Sequence, residues 1–276
     1  VLVREAGTVT TWTSSLRMTA WDTETDGTDV ENGHIVQAAI AWIDTTQGPQ
    51  QGVADKRTWI LNHNIDIPQA AADVHGITRE RCTAEGQDPA AVLDEVAQHL
   101  ADAIAAGWVL VGMNVPFDFT MLDRGCRRLG VPTLSERLGG AEIRPVIDAY
   151  VIDKYVEPYR KGKRTLTALC ERYQVPLVDA HDAAGDALAA ARVVWRMGQV
   201  VRRPVSWLRS EWGLKPQDAE RCLRLAGLSL EQLHDGQVKA KQQQAESFRQ
   251  YLIKQGKPAD DVSGDWPMVP YAASTP

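Results

Sequence analysis

At 276 residues and 44% hydrophobic, the chain can bury one sizeable core and an appendage. A net charge of −6 argues against a protein that coats long nucleic acid, and no apolar run approaches the roughly 20 residues of a membrane span. The start, VLVREAGTVT, lacks a signal peptide's plan, and Cys82, Cys126, Cys170 and Cys222 are too scattered for a zinc site, so free thiols in the cytoplasm are expected. The charge is uneven. Residues 201–276 carry 11 Lys and Arg against 9 Asp and Glu, a balance of +2, which leaves −8 for the rest.

In chain order, 16–22 reads as a strand, 34–43 as a longer buried strand and 57–61 as a third, with DGTDVENG and TTQGPQQG as turns. An amphipathic helix over 89–105 opens at Asp88-Pro89 and closes at Gly107. WVLVGMN (108–114) is a buried strand, and Pro116 starts a helix to about Gly130 that buries Phe117, Met121, Cys126 and Leu129. A short strand near 143–147 precedes helical segments at 148–156 and 165–173, split by the basic loop YRKGKR. Arg160, Lys161, Lys163 and Arg164 of that loop could lie along phosphates. A helix over 182–198 buries Ala184, Ala187, Leu188, Ala191 and Trp195. Three strands followed by alternating helix and strand indicate an α/β fold: a mixed sheet covered by helices.

Beyond Arg202-Arg203-Pro204 the chain is helical and more polar, with helices expected at 216–226 and 231–255. Val238, Ala245, Phe248 and Leu252 share one side of the second, and the ending DWPMVPY is extended, with Trp266 and Tyr271. This extension either packs on the core, strapped by its Trp, or docks a polymerase or other replication partner.

Three acidic clusters carry the chemistry. Asp22 and Glu24, two apart at a strand end, point to one face and repel each other unless a cation intervenes. Asp118 lies in the first turn of its helix, where a buried strand delivers the chain to the sheet edge. In HDAAGDA, Asp182 is a good N-cap, so His181 sits just outside the helix and Asp186 one turn in.

DTET, NVPFDFTML and HDAAGD, in this order, resemble the three motifs of the DEDDh 3′–5′ exonucleases, in the ribonuclease-H-like superfamily. VHGIT (74–78) and GKRTLTALCERYQV (162–175) resemble that family's connecting segments. The match covers about 15–198. His181, five residues before Asp186, with Asp182 rather than Tyr four before it, assigns the histidine branch. After DTET the family often has Thr-Gly-Leu, whereas Asp26-Gly27-Thr28 follows here.

The resemblance implies a five-stranded ribonuclease-H-like mixed sheet over 1–200, with 201–276 as a helical extension. It implies two Mg²⁺ or Mn²⁺ ions per site, held by Asp22, Glu24, Asp118 and Asp186, with His181 as general base. Asp22 would bridge both ions, Glu24 and Asp186 would complete the first site, and Asp118 would hold the second. Hard oxygen ligands favour these ions over zinc. Thr23 and Thr25 would present backbone groups to the terminal nucleotide, Gly76 and Ile77 a close backbone approach and an apolar face, and Asn114 and Phe117 hydrogen bonding and stacking. The expected activity is release of nucleotides from the 3′ end of single-stranded nucleic acid, DNA ahead of RNA, in proofreading or repair. The alternatives are an RNA-trimming or oligoribonucleotide exonuclease and a non-catalytic adaptor that binds nucleic acid or a polymerase.

Overall fold

A computed structural model describes residues 11–46, 55–177 and 181–272; the expected turn TTQGPQQG lies largely outside them. The five-stranded sheet is built from β1 (Arg17–Thr25), β2 (Ile35–Asp44), β3 (Asp55–Ile60), β4 (Val109–Gly112) and β5 (Val146–Asp148), in the order β3-β2-β1-β4-β5. β1, β2 and β3 pair antiparallel, whereas β4 and β5 join β1 in parallel. β1, β4 and β5 therefore release the chain at one edge of the sheet. That edge is where α/β sheets commonly bind their ligands.

Helices cover both faces. On one lie α3 (Pro89–Ala105) and α4 (Pro116–Leu129), whose Leu93, Val96, Leu100, Phe119 and Met121 pack against Trp21, Ile40 and Leu110 of the sheet. On the other lie α7 (Leu166–Tyr173) and α8 (Ala183–Val201), where Ala187, Ala191, Val194 and Met197 meet Met18, Ala20 and Ala41. The short α1 (Gln69–His75), α2 (Arg79–Glu85) and α5 (Leu134–Arg137) join these elements, and α6 (Ala149–Val156) follows β5 directly.

In α4 and α8 two burial expectations fail. Trp195 is 40% exposed and Leu129 39% exposed. The Ala-rich α8 lets neighbours approach from three sides, burying Ala183, Ala189, Ala190 and Val193 beyond the expected stripe and leaving Trp195 on the remaining side. In α4 the interior place goes instead to Asp123 and Arg124, paired at 2.7 Å.

The C-terminal helices, α9 (Val205–Ser210), α10 (Pro216–Ala226) and α11 (Leu230–Lys254), share the core: Leu208, Cys222, Leu225 and Leu233 join the α8 cluster, Ala240 and Trp266 the α4 cluster. α11 runs along the open side of β5. His234 Nδ1 accepts the Val146 N–H (3.2 Å), Gln237 Oε1 accepts the Asp148 N–H (2.7 Å), and Gln237 Nε2 donates to the Val146 carbonyl (2.9 Å). Helix side chains thus satisfy an edge that would otherwise recruit another strand. The tail then crosses α4. Trp266 Nε1 donates to Asp148 (3.1 Å), the Val269 N–H to Thr120 Oγ1 (3.1 Å), and Arg124 to the Pro270 carbonyl (3.1 Å), while Arg127 stacks on Tyr271 at 4.3 Å. Phe248, expected on the packed side of α11, is 46% exposed.

Candidate active site

β1 alternates strictly at its end: Trp21, Thr23 and Thr25 are buried, and Asp22 and Glu24 between them are half-buried and face α8. A bulge between Glu24 and Thr25 ends the regular pairing with β2, as bulges often do beside functional sites. Oxygens of Asp22, Glu24 and Asp186 come within 4.8 Å of one another. Asp186 Oδ1 is buried without a hydrogen-bond partner.

Asp118 arrives from the opposite face, in the first turn of α4. It is 5% exposed, and Thr23 Oγ1 donates to its Oδ1 at 2.6 Å. Thr23 therefore ties the first motif to the second through its side chain. Asn114, at φ +59°, reverses the chain between β4 and α4; Asp148 holds it by accepting the N–H groups of Asn114 (2.9 Å) and Val115 (3.2 Å).

The third motif is clamped by a residue that sequence reasoning passed over. Gln37, 2% exposed and opposite Glu24 in the β1–β2 register, donates to Asp182 Oδ1 (3.1 Å) and accepts the Ala183 N–H (3.1 Å). Its signal was a lone polar residue in the apolar run HIVQAAIAWI. Asp182 caps α8 through the Gly185 N–H. His181 stands outside the helix at φ +67°, exposed and beside Asp186.

The electrostatics are uncompensated. Burial, then Asp118, Asp186 and Glu24, hold the Asp22 carboxyl well above the usual carboxylate range. Burial and the Asp186 and Asp118 charges push Glu24 up to about 8. Burial pushes Asp118 up to about 7 against the Thr23 hydrogen bond, and burial raises Asp186. Among the described residues none of the four forms an ion pair. Four oxygen donors with no cation of their own, one of them orphaned, fit a bound divalent metal ion.

The expected substrate contacts fare unevenly. Gly76 sits at φ +69°, and His75 beside it joins this loop to the first motif: its Nε2 donates to the Thr25 carbonyl at 3.2 Å, while its Nδ1 accepts the Ile77 N–H. Ile77 does not offer an apolar face. Its side chain is fully buried with Val36, Ile60 and Cys82. Thr25 spends its hydroxyl on Gly27 and its carbonyl on His75. Asn114 is exposed and Phe117 half-buried, both beside Asp118. Arg160 and Arg164 do not reach toward a ligand; both are bound to the buried Asp153, at 2.7 and 2.9 Å.

Comparison with known proteins gives the family. The family model described as Exonuclease matches residues 19–194. The PolC-type DNA polymerase III of Halalkalibacterium halodurans is 28% identical over 178 residues, covering 64% of this chain and 11% of that one; its counterpart from Oceanobacillus iheyensis is 25% identical over 67% and 12%. The chain thus spans about a tenth of the length of these relatives. Among solved structures, E. coli Exonuclease I in complex with a dT13 oligonucleotide aligns with a TM-score of 0.53 at 17% identity, over 68% of this chain and 41% of that one. Exonuclease I from Methylocaldum szegediense aligns with a TM-score of 0.54 at 19% identity, over 76% and 45%. The chain belongs to the Exonuclease family, as a DEDD exonuclease of the ribonuclease-H-like superfamily.

Proposed function

We propose that this chain is a metal-dependent 3′–5′ exonuclease that removes nucleotides from single-stranded DNA, with His181 as its general base. The observation that carries the reading is the convergence of Asp22, Glu24 and Asp186 around a buried, unpartnered oxygen, with Asp118 held alongside by Thr23. Asp22, Glu24 and Asp186 would hold one divalent ion and Asp22 with Asp118 a second. When bound, such ions neutralise the phosphate and the departing oxygen and lower the pKa of the attacking water. His181, exposed at the lip of the cluster, takes that water's proton. Gly76, Asn114 and Phe117 line the approach and orient the terminal nucleotide.

DNA as substrate is supported by the PolC-type relatives and by the oligodeoxynucleotide held by a structural neighbour. A polymerase or another replication protein is the partner class that residues 201–276 would meet, and a cytoplasmic place of action goes with it. No described helix is long and apolar enough to cross a membrane.

The deciding experiment digests 3′- and 5′-labelled single-stranded DNA and RNA with Mg²⁺ or Mn²⁺, alongside Asp22→Ala. The expectation is stepwise shortening from the 3′ end of DNA, abolished by chelation and by the substitution. Equal or faster loss of RNA would replace this reading with RNA trimming, and an inert wild type would replace it with a binding adaptor.

A further inference from the structure

Outside the acidic cluster, most cations near the α6–α7 loop are committed. Arg160 and Arg164 hold Asp153, Arg172 holds Glu157, and Arg221 holds Asp218. Four lysines are not. Among the described residues Lys154, Lys161, Lys163 and Lys241 form no ion pair, and Lys161 and Lys163 are exposed. This surplus sits on an otherwise acidic protein.

The lysines without an ion pair alternate with aromatic rings, and Lys154 Nζ donates to the Tyr150 hydroxyl at 3.5 Å. Lys241 Nζ lies 5.9 Å from the Tyr150 ring centroid, Lys154 Nζ lies 5.6 Å from the same ring, and Lys154 lies 6.0 Å from Phe248 on its other side. Phe248 in turn stacks with Tyr251, centroids 6.4 Å apart and planes within 16°. Tyr159, beside Lys161, is 82% exposed; Phe248 and Tyr251 are 46% and 55% exposed. A groove of about 460 Å³ between α6 and α11 is lined by Lys154, Tyr159, Arg221, Phe248 and Tyr251.

The row begins near the acids. Tyr150 lies two residues after Asp148, the last residue of β5, which pairs with Gly112 of β4; β4 pairs in turn with β1 up to Ala20, one residue before Trp21 and two before Asp22. Two strand spacings, about 10 Å, separate Asp148 from the level of Asp22. From Lys241 to Tyr251, α11 continues the row by about 15 Å. Flat rings for bases interleaved with cations for phosphates are the composition of a single-strand binding track, tolerant of sequence because every base has a π-face.

We propose that the groove between α6 and α11, lined by Lys154, Tyr159, Phe248 and Tyr251 and continued toward the sheet by the pair Tyr150 and Lys241, carries the single-stranded part of a nucleic acid whose 3′ end occupies the acidic cluster. The groove binds strand whether or not the cluster hydrolyses it, although its role as a track rests on the exonuclease reading. Fluorescence anisotropy with labelled 20-nucleotide oligothymidylate in EDTA tests it on the full chain. The wild type should bind the 20-mer at least tenfold more tightly than a trinucleotide. Phe248→Ala/Tyr251→Ala should erase at least tenfold of that affinity. Lys154→Gln/Lys241→Gln should do the same and flatten the salt dependence by about 1.4 in log–log slope, two contacts' worth for single strands.

A 20-mer affinity unmoved in both variants, the result also expected of a groove built for a protein partner, overturns the proposal. So does a wild type with no preference for length. Hydrolysis of the p-nitrophenyl ester of thymidine 5′-monophosphate with Mn²⁺ separates the two readings. All variants should cleave it at the wild-type rate; an ester inert to the wild type would sink the exonuclease reading while leaving the groove affinities to be judged separately.

Discussion

Two groups of buried acids lie on the parallel side of this sheet, and they are treated in opposite ways. Asp148 and Asp153, at β5 and the helix after it, are fully buried and hydrogen-bonded by the protein itself, although burial still raises the Asp148 carboxyl. Asp148 accepts from the N–H groups of Asn114, Val115, Tyr150 and Val151 and from the Trp266 indole. Asp153 accepts from Arg160, Arg164 and the Tyr173 hydroxyl. Asp22, Glu24 and Asp186, two strands away, have no cation and one orphaned oxygen among the described residues. Desolvation disfavours a carboxylate's charge in either place, more so at the fully buried Asp148 and Asp153 than at the half-buried cluster. What differs is the compensation: the protein supplies it at Asp148 and Asp153 and, among the described residues, leaves it unsupplied at the cluster.

The sharpest way to probe the unanswered group is through the residue that touches it without being an acid. His181→Ala should lower kcat by roughly 10²–10⁴-fold, the usual value of a positioned base, with KM and metal affinity close to wild type. Single-turnover digestion of a short oligodeoxynucleotide measures it. An undiminished rate would remove the histidine from the chemistry. On the answered side, Asp153→Ala strands Arg160 and Arg164 and should destabilise the fold by about 3–5 kcal/mol, the cost of breaking a buried pair on one side. Denaturant titration checks it. The two variants should separate cleanly, the first losing rate and the second stability, with turnover per folded molecule retained.

The same contrast explains what could be read in the chain beforehand. The helices at 89–105 and 116–130 and the pairing of Asp22 with Glu24 follow from local rules: proline at N1 of both helices, a 3.6-residue period in the first, alternation along a strand. Elements that bury almost nothing escaped. α1 and α2 each hide one residue, His75 and Cys82, so neither shows a period. The compensating partners escaped too, because compensation is a property of pairs distant in sequence. Nothing in GKRTL announces that Arg164 faces Asp153, and nothing in DTET announces that the Thr23 hydroxyl, rather than its backbone, serves Asp118. Ile77 misled for a related reason. An apolar residue after a glycine looks the same whether it faces a ligand or fills a gap beside Val36 and Ile60.

A smaller effect comes from the tail. Trp266→Phe keeps the ring that packs on His234 and removes one of five donors to Asp148. Leaving a buried acceptor short of one partner should cost about 1–3 kcal/mol, read as a lowered melting temperature. A variant as stable as the wild type would reduce the tail to a passive cover.

The last prediction returns to the unanswered acids and uses pH to reveal their missing partner. In the folded, metal-free protein Glu24 titrates near 8, Asp118 near 7, and Asp22 and Asp186 above their ordinary range. Unfolded, all four would titrate near 4. Between about pH 4 and 8 the native state therefore holds more protons than the unfolded chain, so its stability falls as pH rises through that window. The penalty is absent well below pH 4, where both states are protonated, and it grows as pH rises through the Glu24 value of about 8. In EDTA the melting temperature of the wild type should drop from pH 5.5 to 8.5 more steeply than that of Asp186→Asn, which removes one of the repelling charges. Saturating Mn²⁺ should raise it by more at pH 8.5 than at pH 5.5, because the ion competes with fewer protons and relieves more repulsion. A wild type that grows more stable toward pH 8.5 without metal, or that gains the same increment from Mn²⁺ at both pH values, would mean that the protein has already answered these charges by itself.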